Sequence, residues 1–152
     1  TEGNAFWKWA RENKVEEKLR KLNKNIAIQG ELYGEGTGSR NNPLKIKGNK
    51  VAFFNVFDID NYKYLDFEEF KQTINDIGLE TVPILDTEFI LHNDIQELVK
   101  LSIDKSKINS NIWREGIVIR PKKEIIDLGM SQFFSSGRLS FKAINPEYLL
   151  LE

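Results

Sequence analysis

The chain contains no cysteine, a single histidine, a single methionine and four prolines. Without cysteine it has no disulfide framework, no thiolate metal site and no thiol nucleophile. That accords with a reducing compartment, and the expected location is the cytoplasm. His92 is the only imidazole, so a Ser-His-Asp triad has one possible base, and no glycine-flanked serine sits on a strand-to-helix turn to serve as its nucleophile. His92 is therefore read as a helix-edge residue, and no Cys/His cluster offers a zinc site. No apolar run approaches the roughly 20 residues that cross a bilayer, and the N-terminus lacks the pattern of a signal peptide. An excess of one charge is missing too. With 22 Lys/Arg against 23 Asp/Glu, no global field draws the chain to nucleic acid or anionic membrane, and any nucleic-acid contact must use a local groove. No Gly-x-x-x-x-Gly-Lys-Ser/Thr phosphate loop occurs, and Gly34-Glu35-Gly36-Thr37-Gly38 does not open a helix as a dinucleotide fingerprint does.

What is present is the composition of an ordinary globular domain. Its 152 residues are 40% hydrophobic and 30% charged, enough for one domain with a core. From Asn4 to about Asn23, Phe6, Trp9, Ala10, Val15, Leu19 and Leu22 recur at three- and four-residue steps, which predicts one amphipathic helix. Its aromatics Phe6, Trp7 and Trp9 are read as packing rather than as a ligand platform. Ile26–Tyr33 and Val51–Ile59 are predicted strands, the second central because both of its faces are apolar. The polar stretch Gly34–Gly48 between them carries Arg40, Lys45 and Lys47; it reads equally as a loop that closes on a substrate or as an ordinary solvated loop. Helices are predicted at about Phe67–Ile77, with Asp66 as N-cap and Gly78 as stop, and at about Asn93–Ile103. Pro83 assigns Val82–Leu85 to an edge or turn. Strands follow at Glu115–Arg120 and Arg138–Asn145, with Lys122, Lys123 and a Ser135-Ser136-Gly137 turn between them, and the apolar Leu149-Leu150-Leu151 reads as strand. Hairpin-like strands with helices set between groups of them predict an α+β fold.

Two of these strands carry charge. Glu115-Gly116-Ile117-Val118-Ile119-Arg120-Pro121 and Leu139-Ser140-Phe141-Lys142-Ala143-Ile144-Asn145 are apolar enough to demand burial. Glu115 and Lys142 should then lie where water is scarce unless something pairs them, and a metal with a polyphosphate would do so. Asp58–Glu69 partly fits a calcium-binding EF-hand loop, but Tyr62 and Lys63 stand where an oxygen ligand and a glycine are needed, so calcium is not assigned. The remaining candidates are Glu31, Phe54, Glu115, Arg120 and Lys142. They could hold a nucleotide, with Phe54 stacking on a base, Glu31 accepting from ribose hydroxyls, Glu115 holding a divalent cation, and Lys142 with Arg120 neutralising phosphates. Each has a plainer reading as a core aromatic, a strand-end charge or a surface ion pair.

Taken together, the segments resemble the RNA ligases of the covalent nucleotidyltransferase superfamily, in particular the branch similar to phage RNA ligase 2. Gln29-Gly30-Glu31-Leu32-Tyr33-Gly34 is similar to the family's glycine-glutamate segment, and Phe53-Phe54-Asn55-Val56-Phe57-Asp58-Ile59 to motif III. Glu115–Pro121 is similar to motif IV, and Ser140–Asn145 to motif V. The resemblance implies a nucleotidyltransferase, ATP-grasp-like core with antiparallel sheets flanked by helices. It makes Glu31 the ribose contact, Phe54 the adenine-stacking ring, Glu115 a catalytic and metal-binding carboxylate, Arg120 a cofactor-binding cation, and Lys142 the catalytic phosphate contact. It also implies ATP with Mg2+ or Mn2+, and RNA ends or a nicked duplex as partner in RNA repair, with no membrane.

Two departures stand out. Family members often carry two lysines in motif V, whereas this chain has Lys142 alone, with Ser140 or Ile144 in place of the other. The missing phosphate contact is lost or supplied by Arg120 or Arg138. The family's Lys-x-Asp-Gly nucleophile occurs nowhere in the sequence. Residues 1–152 are therefore expected to be part of an adenylation domain, truncated upstream of residue 1 and inactive alone. The alternative is a non-catalytic module binding nucleic acid or a partner on a degenerate nucleotidyltransferase scaffold.

Overall fold

The computed structural model describes residues 4–35, 42–131 and 137–150. The predicted loop residue Arg40, the Ser135-Ser136 part of the predicted turn, and Leu151 lie outside the described residues. Two compact units divide at Val82/Pro83.

The first unit begins with two helices, α1 (Ala5–Glu12) and α2 (Val15–Leu22), where the apolar spacing predicts one. The break has a local cause. The Asn13 side chain turns back to donate to the Trp9 carbonyl at 2.9 Å, and Lys14 adopts a left-handed backbone at φ 53°, which a continuous helix does not allow. Trp9 packs on Phe53 with ring centroids 6.1 Å apart, as the packing reading predicts, and Leu19 and Leu22 join the same core. Phe6 and Trp7, 40% and 57% exposed, are not part of this core. A helix broken after Glu12 turns only one stripe inward.

An antiparallel sheet follows in the order β1 (Ile26–Gly34), β2 (Asn49–Asp58) and β3 (Lys63–Tyr64). On its far edge β2 also pairs with the chain at Glu80–Val82, Phe53 N–H donating to the Glu80 carbonyl and Val82 N–H to the Phe53 carbonyl. No further pairing with β2 follows Val82 among the described residues. β2 is thus central, as its composition predicts. Val51, Phe53 and Val56 are buried with Phe70, Ile74 and Ile77 of the following helix region, where α3 spans Phe67–Asp76. Asp66 stands at the N-cap of α3, and Gly78 follows its end at φ 61°.

The period of β2 breaks once. Val51 and Phe53 alternate into the core, yet the next core residue is Val56, three positions on. The register supplies the reason: Gly30 pairs with Phe53 and Gln29 with Asn55, so Phe54 is the extra residue of a β-bulge. Gly30 is the other half of this arrangement. A Cβ there would lie 2.9 Å from both Phe53 Cδ1 and the Ala52 carbonyl. Gly30→Ala is accordingly expected to push Phe53 from its seat and cost about 1–3 kcal/mol, read as a lowered midpoint in thermal unfolding.

The second unit contains α4 (Ile95–Ser102), β4 (Gly116–Ile119), β5 (Phe141–Ile144) and α5 (Pro146–Leu149). β4 and β5 form an antiparallel pair, and α4 packs on both. Asp94 caps α4 by accepting from the amides of Gln96 and Glu97. At the chain's end the predicted strand is a helix as far as Leu149. Asn145 accepts from the Glu147 amide as N-cap, and Pro146 follows at the first helical position, where its fixed φ and missing N–H favour a helix start.

Candidate nucleotide-binding site

Residues paired directly across antiparallel strands share a face, which places the first-unit candidates. Glu31 pairs with Ala52, Gln29 with Asn55, and Tyr33 with Lys50, all on the face turned away from Phe53 and Val56. Phe54, two positions beyond Ala52 and next to the inward Phe53, stands on that face by the strand's own alternation, and the bulge keeps Asn55 there with it. Glu31 is exposed and Phe54 half-buried. One acidic acceptor and one ring face thus stand on the same side of two adjacent strands. The floor is polar and ordered: Asn55, 7% exposed, donates through Nδ2 to Gln29 Oε1 at 2.8 Å. Burial, with the nearby Glu80 carboxylate, raises the Tyr33 phenol above its ordinary pKa, keeping it a neutral hydrogen-bond donor.

In the second unit, Lys142 pairs with Val118 across β4 and β5. Lys142 Nζ donates to Glu115 Oε1 at 2.5 Å. This corrects the expectation that both charges sit where water is scarce. Their side chains keep 51% and 57% of their surface, and Val118 beside them is 54% exposed. The strands are only four residues long, and among the described residues no buried apolar side chain lies in this unit. The two groups satisfy each other at an open face.

Arg120 Nε donates to Ser140 Oγ at 3.3 Å, so the serine at one of the two possible lysine positions is occupied by the neighbouring cation. Arg138 is not available to replace the missing lysine. Its guanidinium grips Glu124 in a fork, Nε to Oε2 at 2.6 Å and a terminal nitrogen to Oε1 at 2.5 Å, with the side chains only 13% and 16% exposed. Of the basic loop residues, Lys45 and Lys47 fall among the described residues, Lys45 with a left-handed backbone at φ 51°.

The hinge that carries Glu115 is built from residues that periodicity does not single out. Asn145, fully buried, donates from Nδ2 to the Arg114 carbonyl at 2.9 Å, and its backbone N–H reaches the Glu115 carbonyl at 2.8 Å. Ser102, equally buried, donates to the Ile144 carbonyl at 3.0 Å. Arg114 closes the C-terminal end of α4, donating to the carbonyls of Ser102 and Leu101. These bonds lock the start of β4 to the end of β5, and so hold Glu115 and Lys142 within reach. The Asn145-Pro146 pair is a sequence signal for the cap but says nothing of the bond to Arg114.

The would-be calcium segment forms the β2–β3 hairpin instead. Asp58 accepts from the Asn61 amide and side chain, bonds that lower its carboxyl pKa, and Tyr62 at φ 52° makes the turn. His92 lies 3.6 Å from Glu97 through Nε2. Among the described residues no group of three metal-ligating side chains occurs, and no helix is long and apolar enough to cross a membrane.

The family model described as RNA ligase matches residues 1–144. A solved structure of a Naegleria gruberi RNA ligase variant with ATP and Mn superposes with a TM-score of 0.81 at 33% identity. The same ligase with PPi gives the same values, and a glutamate-to-alanine variant with ATP and Mn gives 0.81 at 32% identity. Each comparison covers all of this chain but only 42% of the ligase chain. No curated protein sequence matches.

Proposed function

Because this chain belongs to the RNA ligase family and has the mixed helix and antiparallel-sheet fold of its nucleotidyltransferase core, we propose that it is the nucleotide-binding part of the adenylation domain of an ATP-dependent RNA ligase. In the proposed cycle a lysine outside this sequence attacks the α-phosphate of ATP, pyrophosphate leaves, and lysyl-AMP forms. The 5′-phosphate of RNA then takes the AMP, and a 3′-hydroxyl displaces AMP to form the phosphodiester.

The observation that carries this reading is the contact of Glu115 with Lys142, two charges 27 residues apart brought together across β4 and β5. Both groups are reachable, and their mutual pairing is what a nucleotide with its cation would replace. One carboxylate suits Mg2+ or Mn2+, since Mg2+ retains several waters and is held by one or two carboxylates together with substrate phosphates. A cation held at Glu115 supplies positive charge against the phosphates. Lys142, released from Glu115, offers its ammonium to the α-phosphate as charge develops there, and Arg120 adds a second cation from the end of β4. Phe54 supplies the face for adenine and Glu31 the acceptor for ribose hydroxyls.

The test is self-labelling with radiolabelled ATP in the parent protein that includes a Lys-x-Asp-Gly segment. Lys142→Ala and Glu115→Ala are each expected to lower labelling about 100-fold or more, and the 152-residue chain alone to gain no AMP by intact mass. Full labelling in both variants rejects the site. A parent frame without Lys-x-Asp-Gly favours the non-catalytic binding module, the reading that the absent nucleophile supports.

A further inference from the structure

Charge is unevenly spread along this nearly neutral chain. Positions 4–24 hold seven Lys/Arg against three Glu, while the whole chain carries −1. The helices sort these charges. Trp9 faces the core, so Trp7 and Arg11, each two positions away and about 200° around the helix, face out. On α2 the inward residues are Leu19 and Leu22. Lys18 and Lys21 lie on one flank with the exposed Glu17 beside them, and Lys14 stands just before the helix as its N-cap. Glu16 lies on the other flank, tied to Arg20 at 2.8 Å. Lys18 donates to the Gly78 carbonyl at 3.2 Å, whereas Arg11, Lys14 and Lys21 make no ion pair among the described residues and are exposed.

Trp7 is the second observation. It keeps 57% of its surface, and among the described residues its helical neighbours three and four positions away are Asn4, Ala10 and Arg11. A hydrophobic anchor for a protein partner needs a desolvated apolar surround. An open indole face beside a guanidinium and a row of ammonium groups is instead the combination that takes stacked bases and a phosphate backbone.

We propose that the outward face of α1 and α2, comprising Trp7, Arg11, Lys14 and Lys21, is a binding surface for single-stranded RNA. Trp7 stacks on an unpaired base and the three cations follow the phosphates. The choice of RNA rests on the ligase reading, but none of these four residues is among those assigned to ATP, and the test needs no nucleotide.

The experiment is fluorescence anisotropy of a labelled single-stranded oligoribonucleotide titrated with this chain at several salt concentrations. Trp7→Leu, which keeps helix propensity and apolar area but removes the ring, is expected to weaken binding about 10-fold, and Trp7→Phe to retain most of it. Arg11→Gln and Lys21→Gln should each reduce the slope of log affinity against log salt by about 0.7. Lys100→Gln, on α4, should change neither. The proposal is overturned if the unaltered chain does not bind the oligonucleotide, or if Trp7→Leu binds as tightly as Trp7→Phe, the result expected of a hydrophobic protein contact. It is also overturned if Lys100→Gln weakens binding as much as Lys21→Gln, which would mean diffuse attraction. Self-labelling with ATP is unaffected by any of these outcomes.

Discussion

Glu124→Ala is expected to destabilise the second unit by about 3–5 kcal/mol. Glu124 and Arg138 are the least exposed ion pair among the described residues, at 16% and 13%, and the fork of two short bonds uses both carboxylate oxygens. Truncating the glutamate leaves a guanidinium in a water-poor place with its main counter-charge gone, and little of its solvation can return without opening the structure. The neighbouring backbone would open with it, because Ile126 bridges Arg138 and Leu139 N–H donates to the Ile125 carbonyl. Removing both charges together has a different expected outcome. Glu124→Leu with Arg138→Met should recover most of the loss, since no charge is stranded. Chemical denaturation of the single and double variants, with hydrogen exchange at residues 125–127 and 137–139, measures both effects. A loss below 1 kcal/mol in Glu124→Ala contradicts the assignment of this pair as buried and committed.

Gly116→Ala should separate β4 from β5. A Cβ at Gly116 would stand 2.2 Å from the Ala143 carbonyl oxygen and 3.1 Å from Ile144 Cα, and backbone cannot step aside as a flexible side chain can. The Gly116–Ile144 pair is the one next to the Asn145 bond to the Glu115 carbonyl, so the displacement falls on the hinge that aims Glu115. The expected cost is about 3 kcal/mol, at the upper end for an overpacked site, together with loss of self-labelling in the parent protein even though no charged group has been removed. Val118→Ala, on the exposed face of the same strand, should stay within about 0.5 kcal/mol of the unaltered chain. Normal stability in Gly116→Ala would show that β4 and β5 can part without cost.

Both variants act on features that periodicity alone does not reveal. The α+β class, the central place of β2, the cap at Asp66 and the stop at Gly78 were legible because each depends on neighbours within a few positions: period, composition or one turn-forming residue. The candidate residues Glu31, Phe54, Glu115, Arg120 and Lys142 were legible through short motifs in a fixed order. The break at Lys14 was not, since a lysine is an ordinary helix residue and its left-handed backbone follows from how Asn13 and Trp9 close the preceding turn. The helix at Pro146–Leu149 was hidden by a run of leucines, although the Asn145-Pro146 cap marks it.

What the sequence by itself determined is the family, the order of its motifs and the absence of a Lys-x-Asp-Gly nucleophile, because these are properties of residue identity along the chain. Tertiary structure alone decided how the charges are used. Pairing across β4 and β5 let Glu115 and Lys142 neutralise each other in partial solvent, a buried fork committed the Arg138 guanidinium to Glu124, and a single bulge in β2 returned Val56 to the core. Those outcomes depend on which groups meet across tens of residues and how much water each retains, and no local pattern carries that information.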